Sequence, residues 1–263
     1  MTKQQEAVFR KAHPVPPFWE VRFALANPPM PGTFVLADLG GPLRDALFPA
    51  ALDDEGFTSM VPPGHPVTHL VPGARVTMLG PFGHGFDIAQ PSQDHPQPAR
   101  LLLIAEAARL PPLLPLLDAA SSVALVIEAP TRALLPPLQR IPPTVELYLV
   151  TLDGSTGYLG PLESEEPPPS GVQRPGPILR ELIAWTEHIC LVGDRARYPA
   201  LASIVRQARL YPQPNFAQAL VQVPMPCGVG ACEICRMRTR ASSRREYHVC
   251  TDGPVFDLLD FAP

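Results

Sequence analysis

The 263-residue chain is short of lysine, aromatic residues, long apolar runs and any excess of charge. Of its 21 basic residues only Lys3 and Lys11 are lysines, and the rest are arginines. A formal net charge of −4 offers no global attraction for nucleic acid or an anionic membrane. No apolar run reaches the roughly 18 residues that a membrane-crossing helix needs. The most hydrophobic stretch, Leu101 to Ile127, is broken by Glu106, Arg109, Asp118 and by Pro111, Pro112 and Pro115. The opening Met1-Thr2-Lys3-Gln4-Gln5-Glu6 lacks the basic-then-apolar pattern of a secretory leader, so a cytoplasmic, reducing setting is expected. Proline is what the chain has in excess, 37 against 18 glycines, which favours short helices and stiff connections.

Cysteine is also scarce, but its placement is not random. Four of the five cysteines are Cys227, Cys232, Cys235 and Cys250, spaced C-x4-C-x2-C-x14-C. Three close thiolates and one returning thiolate match the ligand spacing of a plant-type [2Fe–2S] cluster. Gly228 and Gly230 suit a loop that turns backbone N–H groups toward sulfur, because glycine reaches φ > 0 without strain. Structural zinc also takes four cysteines, but usually from two short knuckles. Disulfides would need an oxidising compartment that nothing here marks. The fifth cysteine, Cys190, reads as a buried core residue. Among the histidines only His65 and His69 have a metal-like spacing, in a Pro/Gly-rich turn region; His248, two residues before Cys250, reads as exposed.

Residues 1–17 read as a polar, proline-rich lead-in. From Phe18 to about Gly85, short apolar runs split by turn signals, such as Phe18–Phe23, Gly32–Asp38 and Ala74–Leu79, predict a small antiparallel barrel. Residues 90–99 read as a linker. Continuous apolar runs follow at Leu101–Ile104, Val123–Ile127, Val145–Val150 and His188–Val192, with a helix expected around Leu113–Ala120 and another between Val192 and Tyr211. That alternation predicts a parallel α/β sheet. Glu163–Pro177 reads as a surface loop. The expected organisation is a barrel over 14–89, an α/β domain over 99–211 and a cluster module over 212–263. Between Cys235 and Cys250 lie Arg236, Arg238, Arg240, Arg244 and Arg245. They read as a solvated hairpin or as an electropositive rim, Arg236–Arg245, for docking an acidic partner.

The order barrel, α/β domain, [2Fe–2S] module resembles the electron-transfer subunit of class 1B dihydroorotate dehydrogenase, within the ferredoxin–NADP⁺ reductase-like superfamily. The resemblance rests on Met225-Pro226-Cys227-Gly228-Val229-Gly230-Ala231-Cys232-Glu233-Ile234-Cys235, on Cys250-Thr251-Asp252-Gly253-Pro254-Val255-Phe256, on Leu79–Phe86 and on Asp153-Gly154-Ser155-Thr156-Gly157. It implies FAD in the barrel, a pyridine nucleotide on the α/β domain, and a cluster relaying electrons to the FMN of a separate catalytic subunit in a hetero-oligomer. Arg44 and Pro49 are the nearest counterparts of the family's flavin motif, whose Arg and Ser positions are apolar here. The Gly-rich phosphate turn is replaced by Leu103–Pro111, without glycine and with Glu106, and the late Cys-Gly-Pro motif by Val192-Gly193-Asp194. Such losses speak against a pyridine nucleotide. Three functions follow as alternatives: an electron-transfer subunit, a non-catalytic assembly subunit, and a complete FAD-dependent NAD(P)H oxidoreductase.

Overall fold

The computed structural model describes residues 4–89, 98–164, 171–239 and 246–261. The first sheet holds β1 (Gln4–Val15), β2 (Phe18–Ala24), β3 (Phe34–Ala37), β4 (Asp45–Leu47), β5 (Ala51–Asp53), β6 (Gly56–Val61) and β7 (Arg75–Phe82). They pair antiparallel in the order β4-β3-β7-β1-β2-β6-β5. Strands from both ends of that order feed one interior, which contains Phe9, Phe23, Val35, Leu47, Phe57 and Met78. The sheet is therefore barrel-like. The Phe23 ring lies 5.6 Å from both Phe9 and Phe57, and each such burial contributes about 1.5–3 kcal/mol.

The expected lead-in is the sheet's longest strand, β1, paired with both β2 and β7. Ala7 and Phe9 alternate inward, but the register shifts between Phe9 and Lys11, so the period of two breaks mid-strand. Most of the expected linker, residues 90–97, lies outside the described residues, as do 165–170 of the Glu163–Pro177 loop and 240–245 of the arginine run. The end of that loop is not irregular: Pro175 opens a helix, where a missing N–H costs nothing.

The second sheet begins with β8 (Arg100–Glu106), β9 (Ser122–Ala129), β10 (Glu146–Thr151) and β11 (Tyr158–Leu159). Helix α1 (Pro175–Trp185) leads to β12 (His188–Val192), and α2 (Tyr198–Ala208) to β13 (Ala217–Leu220). The chain then leaves for the hairpin β14 (Arg236–Arg238) and β15 (Glu246–His248) and a single turn, α3 (Val249–Asp252), before returning as β16 (Val255–Asp257). The order is β11-β10-β9-β8-β12-β13-β16, parallel except for the β13–β16 edge. The unbroken apolar run in β8 is explained by cover on both faces. Leu102 and Ile104 join Leu179, Leu182 and Leu201 of α1 and α2, while Leu101 and Leu103 join Leu110, Leu113 and Leu116 on the other side. That second cover is not the expected α-helix but a 3₁₀ segment over Pro111–Leu116, since Pro111, Pro112 and Pro115 cannot donate to an α ladder.

Two features of the resemblance are structural joints. Asp153 accepts from Ser155 N at 3.0 Å and Ser155 Oγ at 2.6 Å, and Ser155 Oγ accepts from Arg132 N at 2.8 Å, so the turn's polar groups satisfy one another. Gly157 closes it with φ 65°, and a Cβ there would stand 2.0 Å from Leu149 O. Gly157→Ala should therefore cost about 2 kcal/mol in urea unfolding, and a neutral result would show that the turn relaxes freely. The segment after β7 locks to the C-terminus: His84 N donates to Gly253 O at 2.6 Å, and a Cβ on Gly83 would meet Pro254 Cδ at 2.4 Å.

Candidate metal centre

Between β13 and β14 the chain forms a tight loop, residues 227–235, seated on the barrel. Gly228 has φ 69°, and a Cβ there would stand 2.8 Å from the Phe82 ring and 3.0 Å from Leu36. Gly230 also has φ 72°, which aims its N–H at Cys250 Sγ at 3.3 Å. The two glycines singled out in the sequence thus have distinct tasks: close approach to the barrel, and delivery of a donor to sulfur.

The four cysteines come together, and they do so as two pairs. Cys235 Sγ lies 3.4 Å from Cys250 Sγ. The Cys232 side chain stands beside Cys227, close enough to lower its pKa. Cys235 and Cys250 are buried, Cys227 is half-buried and Cys232 is exposed. Among the described residues no three His, Cys, Asp or Glu side chains gather as the cage of one metal ion.

The electrostatics differ between the pairs. For Cys227 burial acts upward, but the N–H groups of Val229, Cys232 and Ala231 and the Cys232 thiol bring its pKa down to about 6. For Cys250 burial and the neighbouring Cys235 push it up to about 12, against the Gly230 N–H. A loop whose N–H groups converge on sulfur is built for thiolate, and Cys250 needs positive charge beside it to ionise. These residues fit a thiolate-ligated metal cluster. Gly228→Ala should leave the barrel folded yet reduce iron retention several-fold, because the added methyl lifts the loop off Phe82. Iron analysis beside circular dichroism checks this.

Around the loop, Arg236 follows Cys235 directly. Glu246 accepts from Arg236 at 3.0 Å and from Arg238 Nε at 2.9 Å across the β14–β15 hairpin. His248, read as exposed from the sequence, is half-buried; its ring lies against Gly230, and Nε2 is buried without a hydrogen-bond partner. Val229 and Ile234 are 52% and 54% exposed on either side of Cys232, so the outer sulfur pair sits under an apolar tip. Cys190 is fully buried on β12, away from this group, and burial raises its thiol pKa.

The flavin candidates are not brought together. Arg44 is exposed and Pro49 is buried, and neither lines the 390 Å³ cavity between the barrel and the parallel sheet. Its walls include Phe18, Phe48, His65, Arg109 and Gln222. Phe48, at the position before Pro49 where the flavin motif has its Arg, is one of the apolar walls. Arg109 is turned to Glu106 at 3.4 Å and Gln222 at 3.5 Å. His65 caps its own turn through Nδ1, and burial lowers its pKa, which leaves it neutral near pH 7. The cavity has room for a planar ring, but among the described residues that line it no free cation stands ready for a pyrophosphate, so these residues do not fit FAD as the resemblance implies it.

The strand order reverses between β8 and β12, where open parallel sheets usually bind nucleotides. Here side chains fill that place. Glu106, at the end of β8, accepts from Asp194 N at 2.9 Å and from Arg197 at 3.0 Å. Arg197 also donates to Glu128 at 2.8 Å and to Glu163 at 2.8 Å, and Glu128 accepts from Leu162 N at 2.9 Å. Sequence reading noticed Glu106 but missed Arg197, whose three carboxylate partners lie 34 to 91 residues away.

Residues 224–261 match the family model described as the iron-sulfur cluster binding domain of dihydroorotate dehydrogenase B. This segment is an iron–sulfur cluster binding domain. The chain is similar to the electron transfer subunit of dihydroorotate dehydrogenase B (NAD(+)) from Geobacillus thermodenitrificans, 29% identical over 194 residues, covering 72% of this chain and 66% of that protein. The corresponding subunit from Caldanaerobacter subterraneus is 25% identical over 185 residues, covering 70% and 65%. The chain thus spans less than two thirds of the length of either relative. A solved NADH-dependent reduced ferredoxin–NADP oxidoreductase, described for flavin-based electron bifurcation, superposes with TM-score 0.70 at 18% identity, covering 96% of this chain and 88% of that one. The ferredoxin reductase of carbazole 1,9a-dioxygenase gives 0.51 at 17% identity, covering 78% and 64%. The fold is ferredoxin-reductase-like. No helix among the described residues is long and apolar enough to cross a membrane.

Proposed function

We propose that the chain holds one [2Fe–2S] cluster on Cys227, Cys232, Cys235 and Cys250 and relays single electrons between that cluster and a partner oxidoreductase. The observation that carries this is the pairing of the sulfurs, Cys227 with Cys232 and Cys235 with Cys250. Two sulfide-bridged irons each take two thiolates, whereas one zinc needs four thiolates converging on a point. When bound, the cluster supplies a one-electron carrier. The protein's part is to hold its charge and screen one side. The N–H groups of Val229, Gly230, Ala231 and Cys232 point at the sulfurs, and hydrogen bonds to cluster sulfur raise the reduction potential. Val249 and Cys250 bury the inner side, while the exposed Val229, Cys232 and Ile234 leave the outer side open to a docking protein.

The partner is a separate catalytic subunit, as the relatives' name 'electron transfer subunit' supports; that it is a flavoprotein follows from the sequence resemblance, and any dihydroorotate chemistry would lie there. A relay of this kind needs neither FAD nor a pyridine nucleotide on this chain. A second reading, an assembly subunit that keeps the reductase scaffold for docking, is favoured by the Arg197 network filling the switch point. Anaerobic titration with dithionite separates the readings. Bleaching of the visible band by about one electron per chain fits a lone cluster. Uptake of about three electrons, with a flavin radical on the way, would mean a complete flavoenzyme.

A further inference from the structure

A cavity of 480 Å³ lies between the β14–β15 hairpin and the start of α2. Arg195, Arg236 and Arg238 line it with a single carboxylate, Glu246, and with Pro199, Met237, Phe261 and Thr239. Both hairpin arginines already share Glu246. Arg195 is exposed, and among the described residues no carboxylate lies within ion-pair distance of it. Arg236 also lies 3.5 Å from Glu233, so three guanidinium groups against two carboxylates leave the pocket with a net positive charge, centred on Arg195. At its inner wall Thr239 is only 4% exposed, and its hydroxyl has no hydrogen-bond partner. A buried hydroxyl left without a partner loses its hydration uncompensated, so it calls for an acceptor or donor that enters from outside. Arginine forks and a hydroxyl together suit a carboxylate.

We propose that this cavity receives an acidic side chain from a segment of the redox partner, its carboxylate held by Arg195 and Arg236 and accepting from Thr239 Oγ1. The proposal rests on the electron-relay reading and names the chemistry of the docking contact. Its position supports it: Arg236 is bonded to Cys235, and β15 runs directly into Cys250, so a protein anchored here stands beside the cluster. The two apolar residues at the loop tip, Val229 and Ile234, supply the dry part of such a face, with the arginines as its charged rim.

The test uses cluster-loaded full-length protein and a fluorescein-labelled, N-acetylated hexaglutamate peptide. Arg195→Glu should weaken peptide binding at low salt by roughly tenfold or more, and Thr239→Val by several-fold. Arg75→Ala, on the barrel, should leave it unchanged. In Arg195→Lys, a carbodiimide should couple the peptide to position 195, against a background confined to the N-terminus, Lys3 and Lys11. Equal losses in Arg75→Ala, or no loss in Arg195→Glu and Thr239→Val, overturn the proposal. Tight binding of inorganic pyrophosphate with no binding of the peptide also overturns it, in favour of a small phosphate ligand. Iron content and dithionite bleaching are read in every variant. Loss of peptide binding with both intact concerns the cavity alone, whereas a chain that never takes up iron refutes the relay reading separately.

Discussion

Cys250→Ser yields a folded chain with less than about a tenth of the iron of the unaltered protein and no visible iron–sulfur absorption. The size of the loss follows from position. Cys250 is 1% exposed, its sulfur lies 3.4 Å from Cys235, and Gly230 N already points at it. No other cysteine lies within the described part of α3 or β15 to substitute. Cys190→Ala is the matched control: it removes a buried thiol from β12 but no cluster ligand, so iron content stays unchanged while stability falls by about 1 kcal/mol. Equal iron in Cys250→Ser and in the unaltered protein would sink the ligand assignment.

The second large effect is on stability. Arg197→Ala should lower the unfolding free energy by about 3 kcal/mol, as when one partner of a buried ion pair is removed. Glu128 is 4% exposed and would keep only the Leu162 N–H; Glu106 and Glu163 are each about a quarter exposed and lose less. The pH dependence has a definite sign. Burial acts to raise the Glu163 pKa, but hydrogen bonding and charge from Arg197 bring it below the usual value. Its contribution is therefore complete above the ordinary carboxylate range and is lost as the pH falls toward the lowered folded value. Arg197→Ala should flatten that acid limb in urea titrations, and an unaltered limb would show that Arg197 is not what holds Glu163 ionised. If Arg197 does close the nucleotide crevice, the unaltered chain will not bind NADH at millimolar concentration.

Much of the centre was legible in the sequence because cluster chemistry is local. The spacing of Cys227, Cys232 and Cys235 sets the loop, and Gly228 and Gly230 are where φ turns positive. The parallel strands were legible because cover on both faces leaves unbroken apolar runs. β1 was not: its register shift at Phe9/Lys11 and its polar exposed face hide the alternation. The Pro111–Leu116 segment carried a helix-like apolar pattern, but pattern says nothing about the missing proline donors. Arg197 was invisible because its partners come from β8, β9 and the segment after β11, which only the sheet order brings together. Thr239 was equally silent, since an orphaned hydroxyl is a property of packing.

The most direct measurement of the central claim is iron, zinc, acid-labile sulfide and flavin on protein purified without oxygen, with an EPR spectrum after reduction. The account predicts about two irons and about two sulfides per chain, little flavin, and a rhombic signal from one unpaired electron on the reduced cluster. One zinc per chain with no labile sulfide and no such signal would contradict it.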